Sequence, residues 1–340
     1  EDLGEGGIQA MLDRSVHFAR VRGTPEHPKP LAGHATALLF DKPSTRTRLS
    51  LEVATYELGG HPIIVTPDSS QMGRGEPTED TARVLGRMVS AVTYRTNTSA
   101  RFVAMAKACV VPVLNALTDD AHPMQVLADL MTVQQARGTL TGLRVAWVGD
   151  ASNVARSWIE AAGLLKLDMV LATPPAFAPP ADEVAKAVRR GATITVTDDP
   201  ILAARGADVL ATDVWISMGQ EKERAERLAA LTPYKVDANL VGLASPEVVV
   251  LHCLPAHRGE EIEADVLEGP RSFVWEAVEA RLHTSKALLE WAALGPGFGI
   301  NCVVLGFTTG SHHRKLLYLP LHVISYPLNA VVARRLALDS

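Results

Sequence analysis

Marked only as hydrophobic or polar, the chain falls into a regular alternation. Short apolar or β-branched runs occupy 35–40, 62–66, 91–95 and 110–115, and a second set occupies 143–148, 169–172, 192–196, 207–212 and 248–251. Between them, apolar residues recur every three to four positions, as at Leu51, Ala54 and Leu58. Continuous apolar runs fit strands buried on both faces, and the helical stretches fit the crossovers that parallel strands need. The expected fold is α/β, with two doubly wound parallel-sheet domains linked by interdomain helices. The pattern restarts after 138–141, which puts a first domain at 1–137 and a second at 138–280.

In a parallel sheet, ligands gather beyond the carboxyl ends of the strands. The residues found there are Ser44-Thr45-Arg46-Thr47-Arg48, Arg95, His122-Pro123-Met124-Gln125, Gly149-Asp150-Ala151-Ser152-Asn153, Asp213-Val214-Trp215-Ile216-Ser217-Met218-Gly219-Gln220 and His252-Cys253-Leu254-Pro255. Six strand ends with polar or nucleophilic side chains exceed what packing requires.

Each cluster has a chemical reading and a plainer one. Ser44, Thr45 and Thr47 around Arg46 suit a phosphate at a helix N-terminus, where unpaired N–H groups and the helix dipole already favour an anion. The plainer reading is a Ser/Thr helix cap, which needs one hydroxyl and no arginine. Arg95 is either an anion ligand or a structural charge. His122 and Gln125 share one face of a helix start and can donate to a carbonyl oxygen, or His122 can simply cap the helix. A histidine near a helix N-terminus tends to stay neutral. Asn153 and Asp213 read as polar-ligand contacts or as caps, and Cys253 as a working thiol or an inert core residue.

Composition narrows these choices. The 340 residues are 47% hydrophobic and 21% charged, and the net charge of −5 argues against a nucleic-acid binder. Three distant cysteines, Cys109, Cys253 and Cys302, give neither a disulfide framework nor zinc-ligand spacing, and point to a reducing cytoplasm. Residues 1–30 show no signal-peptide pattern, and the apolar stretch 316–332 is broken by Pro320, His322 and Pro327. The loop Gly149–Asn153 has no G-x-G-x-x-G, and no G-x-x-x-x-G-K-[ST] occurs anywhere, so a doubly wound dinucleotide enzyme is disfavoured.

Taken together, S-T-R-T-R, H-P-x-Q, D-V-W-x-S-M-G-Q and H-C-L-P-A-H-R-G-E-E, in this order and spacing, resemble the ornithine branch of the aspartate/ornithine carbamoyltransferase family, from about residue 2 to 289. The aspartate branch shares the first two motifs and lacks the S-M-G loop and the H-C-L-P form. The resemblance implies transfer of a carbamoyl group from carbamoyl phosphate to the δ-amine of L-ornithine, without metal or organic cofactor, in a cytoplasmic homotrimer serving arginine biosynthesis. It implies that Ser44, Thr45, Arg46, Thr47, Gln71, Arg95, His122, Gln125, Cys253, Leu254 and Arg281 bind carbamoyl phosphate. It assigns ornithine to Asn153, Asp213, Ser217 and Met218, and catalysis to Arg95, His122, Asp213 and Cys253. It also makes 281–294 a C-terminal helix returning to the first domain.

The sequence departs from the pattern at Met124, where relatives carry Cys or Thr, and around Arg281, where Glu276-Ala277-Val278-Glu279-Ala280 replaces the usual D-E-A-E-N. The tail from Gly295-Pro296-Gly297 onward matches nothing in the family, and its glycine–proline cluster reads as a breaker. Rival readings are a carbamoyltransferase for putrescine or N-acetylornithine, and a non-catalytic trimeric scaffold. The S-M-G loop opposes the first, and the filled chemical positions oppose the second.

Overall fold

The computed structural model describes residues 3–216 and 223–295. Ser217, Met218 and the tail beyond Gly295 lie outside them.

Every expected strand is found. The first sheet contains β1 (Ala35–Phe40), β2 (His61–Val65), β3 (Ala91–Arg95) and β4 (Val113–Leu117) in the order β2-β1-β3-β4. The second contains β5 (Arg144–Val148), β6 (Asp168–Ala172), β7 (Thr193–Thr197), β8 (Val209–Thr212) and β9 (Val249–His252) in the order β7-β6-β5-β8-β9. All pairs are parallel. Only β4 is displaced from its expected 110–115. Val110 is 81% exposed, and Pro112 has no N–H for a ladder, so pairing begins in earnest at Val113.

The strand orders fix where a ligand can sit. Chain order reverses between β1 and β3 in one sheet and between β5 and β8 in the other. At such a switch point the following loops diverge and leave a crevice. The crevices are flanked by residues after Phe40 and Arg95 on one side, and after Val148 and Thr212 on the other.

Twelve α-helices among the described residues connect and cover these strands. Helix α1 (Gly4–Val21) is followed by α2 (Arg46–Glu57), which leaves the end of β1. After α3 (Thr78–Leu85) and α4 (Ser99–Ala108) comes α5 (Pro123–Arg137), with proline in its first turn and a left-handed Gly138 (φ 74°) closing it. Residues 124–133 of α5 are all buried, as expected of a helix covered on every side. Next come α6 (Asn153–Leu165), α7 (Ala181–Arg189), α8 (Pro200–Ala204), α9 (Arg224–Leu231), α10 (Ala238–Leu243) and α11 (Ala264–Leu267). The last, α12 (Val274–Leu294), starts earlier than 281 and packs against α1, α2 and α5. One continuous apolar core runs from Leu38 and Leu51 through Leu127 and Met131 to Trp147 and Leu289.

Candidate active site

The first sheet gathers cations. Arg46 opens α2, and Thr45 at its N-cap makes no side-chain capping bond, so the plain cap reading of the S-T-R-T-R motif fails. Arg46 donates through Nη2 to the carbonyl of Leu254 at 2.6 Å. Arg95 ends β3, beside Phe40 of β1, and its Nε is buried without a hydrogen-bond partner among the described residues. Burial lowers the Arg95 pKa, and the neighbouring Arg46 charge adds to that.

Arg281, on α12, is 4% exposed. It reaches across to donate from Nη1 to Gln125 Oε1 at 3.0 Å and from Nη2 to Thr47 Oγ1 at 2.5 Å. Its pKa falls to about 10, chiefly through burial, with Arg46 and Arg95 also pressing on it. Among the described residues, none of these three guanidiniums has a carboxylate as hydrogen-bond partner. Cations gathered in or near the interior are normally paired, so this cluster is suited to receive an anion.

His122 stands in the same field. It is 4% exposed, its backbone N–H donates to Ser157 Oγ at 2.8 Å, and its Nδ1 has no hydrogen-bond partner among the described residues. Its pKa lies well below the usual histidine value, because of burial first and then the charges of Arg281, Arg95 and Arg46. The imidazole is therefore neutral, as the sequence suggested, but burial and three cations cause this rather than the helix end.

Gln125 departs from expectation. Its amide is held internally: Oε1 accepts from Arg281 and Nε2 donates to Asp129 Oδ1 at 2.8 Å. It joins Arg281 to Asp129, a buried carboxyl whose pKa burial raises to about 7. Asp129 and Ser157 were not singled out from the sequence. Asp129 lies four residues after Gln125 on one helix face, a spacing that could have revealed it. Ser157 reaches His122 only through tertiary folding and leaves no local signal.

The second sheet offers the opposite chemistry. Asp213 follows β8 and is 7% exposed. The Cys253 thiol donates to its Oδ1 at 2.8 Å, and the Val214 N–H donates to the same atom at 2.8 Å. Burial raises the Asp213 pKa, with His252 and these two donors opposing. Burial and the Asp213 charge keep the Cys253 thiol well above its ordinary range, so it is a protonated donor rather than a thiolate nucleophile. Leu254, with φ of 60°, turns its carbonyl toward Arg46 and its N–H toward His252 Nδ1 at 2.9 Å. That bond leaves His252 Nε2–H to donate to Glu261 at 3.1 Å.

Of the other expected site residues, Asn153 opens α6 and donates to the Thr118 carbonyl at 2.9 Å. Gln71 is exposed in a short turn, Gln71–Arg74, and among the described residues no hydrogen bond ties it to the cluster. Ser44 is half-buried and Thr45 exposed at the mouth of α2.

The crevice thus has on one side three guanidiniums, Arg281 buried and Arg46 and Arg95 half-buried, around a buried neutral imidazole, and on the other the buried Asp213 carboxyl with the half-buried Cys253 thiol. Residues 1–135 match the family model described as the carbamoyl-P binding domain of aspartate/ornithine carbamoyltransferase, and residues 141–292 match its Asp/Orn binding domain. The chain is 49% identical over 296 residues to the ornithine carbamoyltransferase of Acidothermus cellulolyticus, covering 86% of this chain and 94% of the relative. It is 46% identical over 288 residues to that of Methanoculleus marisnigri, covering 85% and 93%. The solved ornithine carbamoyltransferase of Pyrococcus furiosus superposes with a TM-score of 0.82 at 41% identity, over 86% of this chain and 95% of that one. The chain belongs to the aspartate/ornithine carbamoyltransferase family.

Proposed function

We propose that this chain transfers the carbamoyl group of carbamoyl phosphate to the δ-amine of L-ornithine, giving L-citrulline and phosphate. The observation that carries the reading is the convergence of Arg46, Arg95 and Arg281 on a neutral His122, opposite the Asp213–Cys253 pair. Relatives named ornithine carbamoyltransferase at 46–51% identity support the acceptor.

Phosphate docks at the start of α2, on Ser44, Thr45, Arg46 and the free N–H groups of the helix. The carbonyl oxygen of carbamoyl phosphate lies within reach of Arg95, His122 and Thr47. Thr47 accepts from Arg281, so its own hydroxyl proton remains available to donate. These donors are fixed before reaction and point at oxygen that becomes negative as the amine attacks, which is where stabilisation accelerates the step. Bond breaking then leaves phosphate among cations already in place.

Ornithine binds from the other sheet. Asp213 holds its α-ammonium, and Asn153, Ser217 and Met218 complete the pocket. The δ-amine must lose its proton before it can attack, since an alkylammonium has a pKa of about 10.4. The positive field of the three arginines disfavours the ammonium form at the reacting end, and holding both reactants together supplies much of the rate. Gln125 acts behind Arg281 and Thr47 through the chain to Asp129.

The enzyme works as a homotrimer in the cytoplasm, in arginine biosynthesis. Free Cys109 and Cys253 suit a reducing compartment. Tyr56 and Met88, each 73% exposed, suit a surface covered by another copy, and exposed Gln71 suits a role at the neighbouring copy's site. Consumption of an acyl phosphate drives the reaction toward citrulline. The test is colorimetric detection of citrulline from purified chain with both substrates, alongside putrescine and N-acetylornithine. Product from ornithine alone is the expected result; product from another amine, or none, overturns the proposal.

A further inference from the structure

Beyond the site, one cluster among the described residues has the chemistry of a cation site. His257, Glu260 and Glu261 lie on the turn that follows Cys253-Leu254-Pro255, with ligand atoms all within 4.8 Å of one another. The turn is closed by Gly259 (φ 88°), whose N–H donates to the Ile262 carbonyl at 2.9 Å, and by the Glu260 N–H on the His257 carbonyl at 2.9 Å.

Each carboxylate is oriented through one oxygen, and its other oxygen has no hydrogen-bond partner among the described residues. Glu261 is fully buried; its Oε1 accepts from His252 Nε2 and from the His257 backbone N–H. Its Oε2 is buried with no hydrogen-bond partner among the described residues and stands 3.7 Å from His257 Nδ1. Glu260 Oε1 accepts from Arg224 of α9, while its Oε2 is likewise buried without a hydrogen-bond partner. The nearest other cation of the turn, Arg258, is drawn away to Glu268. Two carboxylates therefore face one arginine. Outer hydrogen bonds that fix ligand groups in this way are typical of metal sites. Ligands about 2.1 Å from zinc stand roughly 3.4 Å apart in a tetrahedron; the His257–Glu261 pair at 3.7 Å is near that spacing, and the full set, within 4.8 Å, closes by side-chain rotation. His257 is 43% exposed and gives the ion a way in.

We propose that His257 Nδ1, Glu260 Oε2 and Glu261 Oε2 bind one divalent transition-metal ion, with water completing its shell. A nitrogen and two oxygens favour Zn²⁺ or Co²⁺ over Mg²⁺ or Ca²⁺. The ion closes the turn beyond Leu254 on itself, while Glu260 Oε1 remains with Arg224 of α9, and it is separate from the crevice. It calls for no change in the carbamoyl chemistry.

Zn²⁺ titrated calorimetrically into the full chain, with Co²⁺ absorption as a second probe, tests this. One ion per chain is expected. His257→Ala and Glu260→Gln, both at positions with surface exposure, each weaken it at least tenfold while far-UV circular dichroism stays unchanged. Cys253→Ser keeps the affinity. Absence of binding, equal affinity in His257→Ala and Glu260→Gln, or loss in Cys253→Ser, which would place the ion on the thiol, overturns the site.

Discussion

The two walls of the crevice are built on opposite rules. At the first sheet, three guanidiniums and a buried histidine gather with nitrogens left over: Arg95 Nε and His122 Nδ1 find no hydrogen-bond partner among the described residues. On the second, Asp213 is already served by a thiol and a backbone N–H. The difference matches the charges the walls are read to meet. A doubly charged group needs several donors it can collect at once, while an ammonium needs one well-held carboxylate. The first wall is costly without its ligand, because like charges crowd together with Arg281 and His122 buried among them; the second is close to self-sufficient.

Breaking the first wall should therefore cost most. Arg46→Ala is expected to lower kcat/KM for carbamoyl phosphate by about 10³-fold, since a buried charge loses its partner. Steady-state kinetics with circular dichroism as a folding check reads this, and near-normal turnover would contradict the role. Asp213→Asn should fall on the other wall only. It is expected to cut kcat/KM for ornithine by about 10²-fold with carbamoyl phosphate affinity changed less than about threefold; equal losses for both substrates would erase the distinction between the walls.

Arg281→Lys sharpens the comparison further. Lysine keeps the charge but cannot hold Thr47 and Gln125 together, so a loss of about tenfold in kcat is expected. The smallest effect is on stability. The Asp129 carboxyl has a pKa of about 7 in the fold against 3.8 in the free state. Between those values the folded chain holds a proton that the unfolded chain has released, so this group's contribution to stability falls as pH rises from about 4 to 7. Asp129→Asn retains an acceptor for Gln125 and removes that term. Its Tm should gain on the wild type by a few degrees across that interval and run parallel above it. A constant Tm difference from pH 4 to 8 would show that Asp129 does not titrate there.

Much of this architecture could be read from the chain. Parallel strands buried on both faces are short apolar runs, so 35–40, 91–95 and 207–212 announced themselves, and the residues at or just past their ends supplied Arg46, Arg95 and Asp213. The misplaced start of β4 shows the limit, because Val110 and Val111 are apolar but precede a proline that cannot join the ladder. Gln125 shows another. Its type and position were legible, yet its partners Asp129 and Arg281 depend on α5 and α12 meeting, which no local pattern records. The neutrality of His122 was anticipated from the helix end, while the fold supplies stronger causes, burial and three cations brought from separate segments.

Helix α12 has a consequence for synthesis. The last of the three guanidiniums is encoded far downstream of the pocket it completes, so a nascent chain with the first sheet already folded holds Thr47 and Gln125 without the group that bridges them. Tight capture of the phosphoryl donor must wait until translation has passed Arg281 and that helix has docked. A ribosome-stalled or clipped product lacking it would be without the third guanidinium and would also leave uncovered the apolar faces of α1, α2 and α5 on which α12 packs.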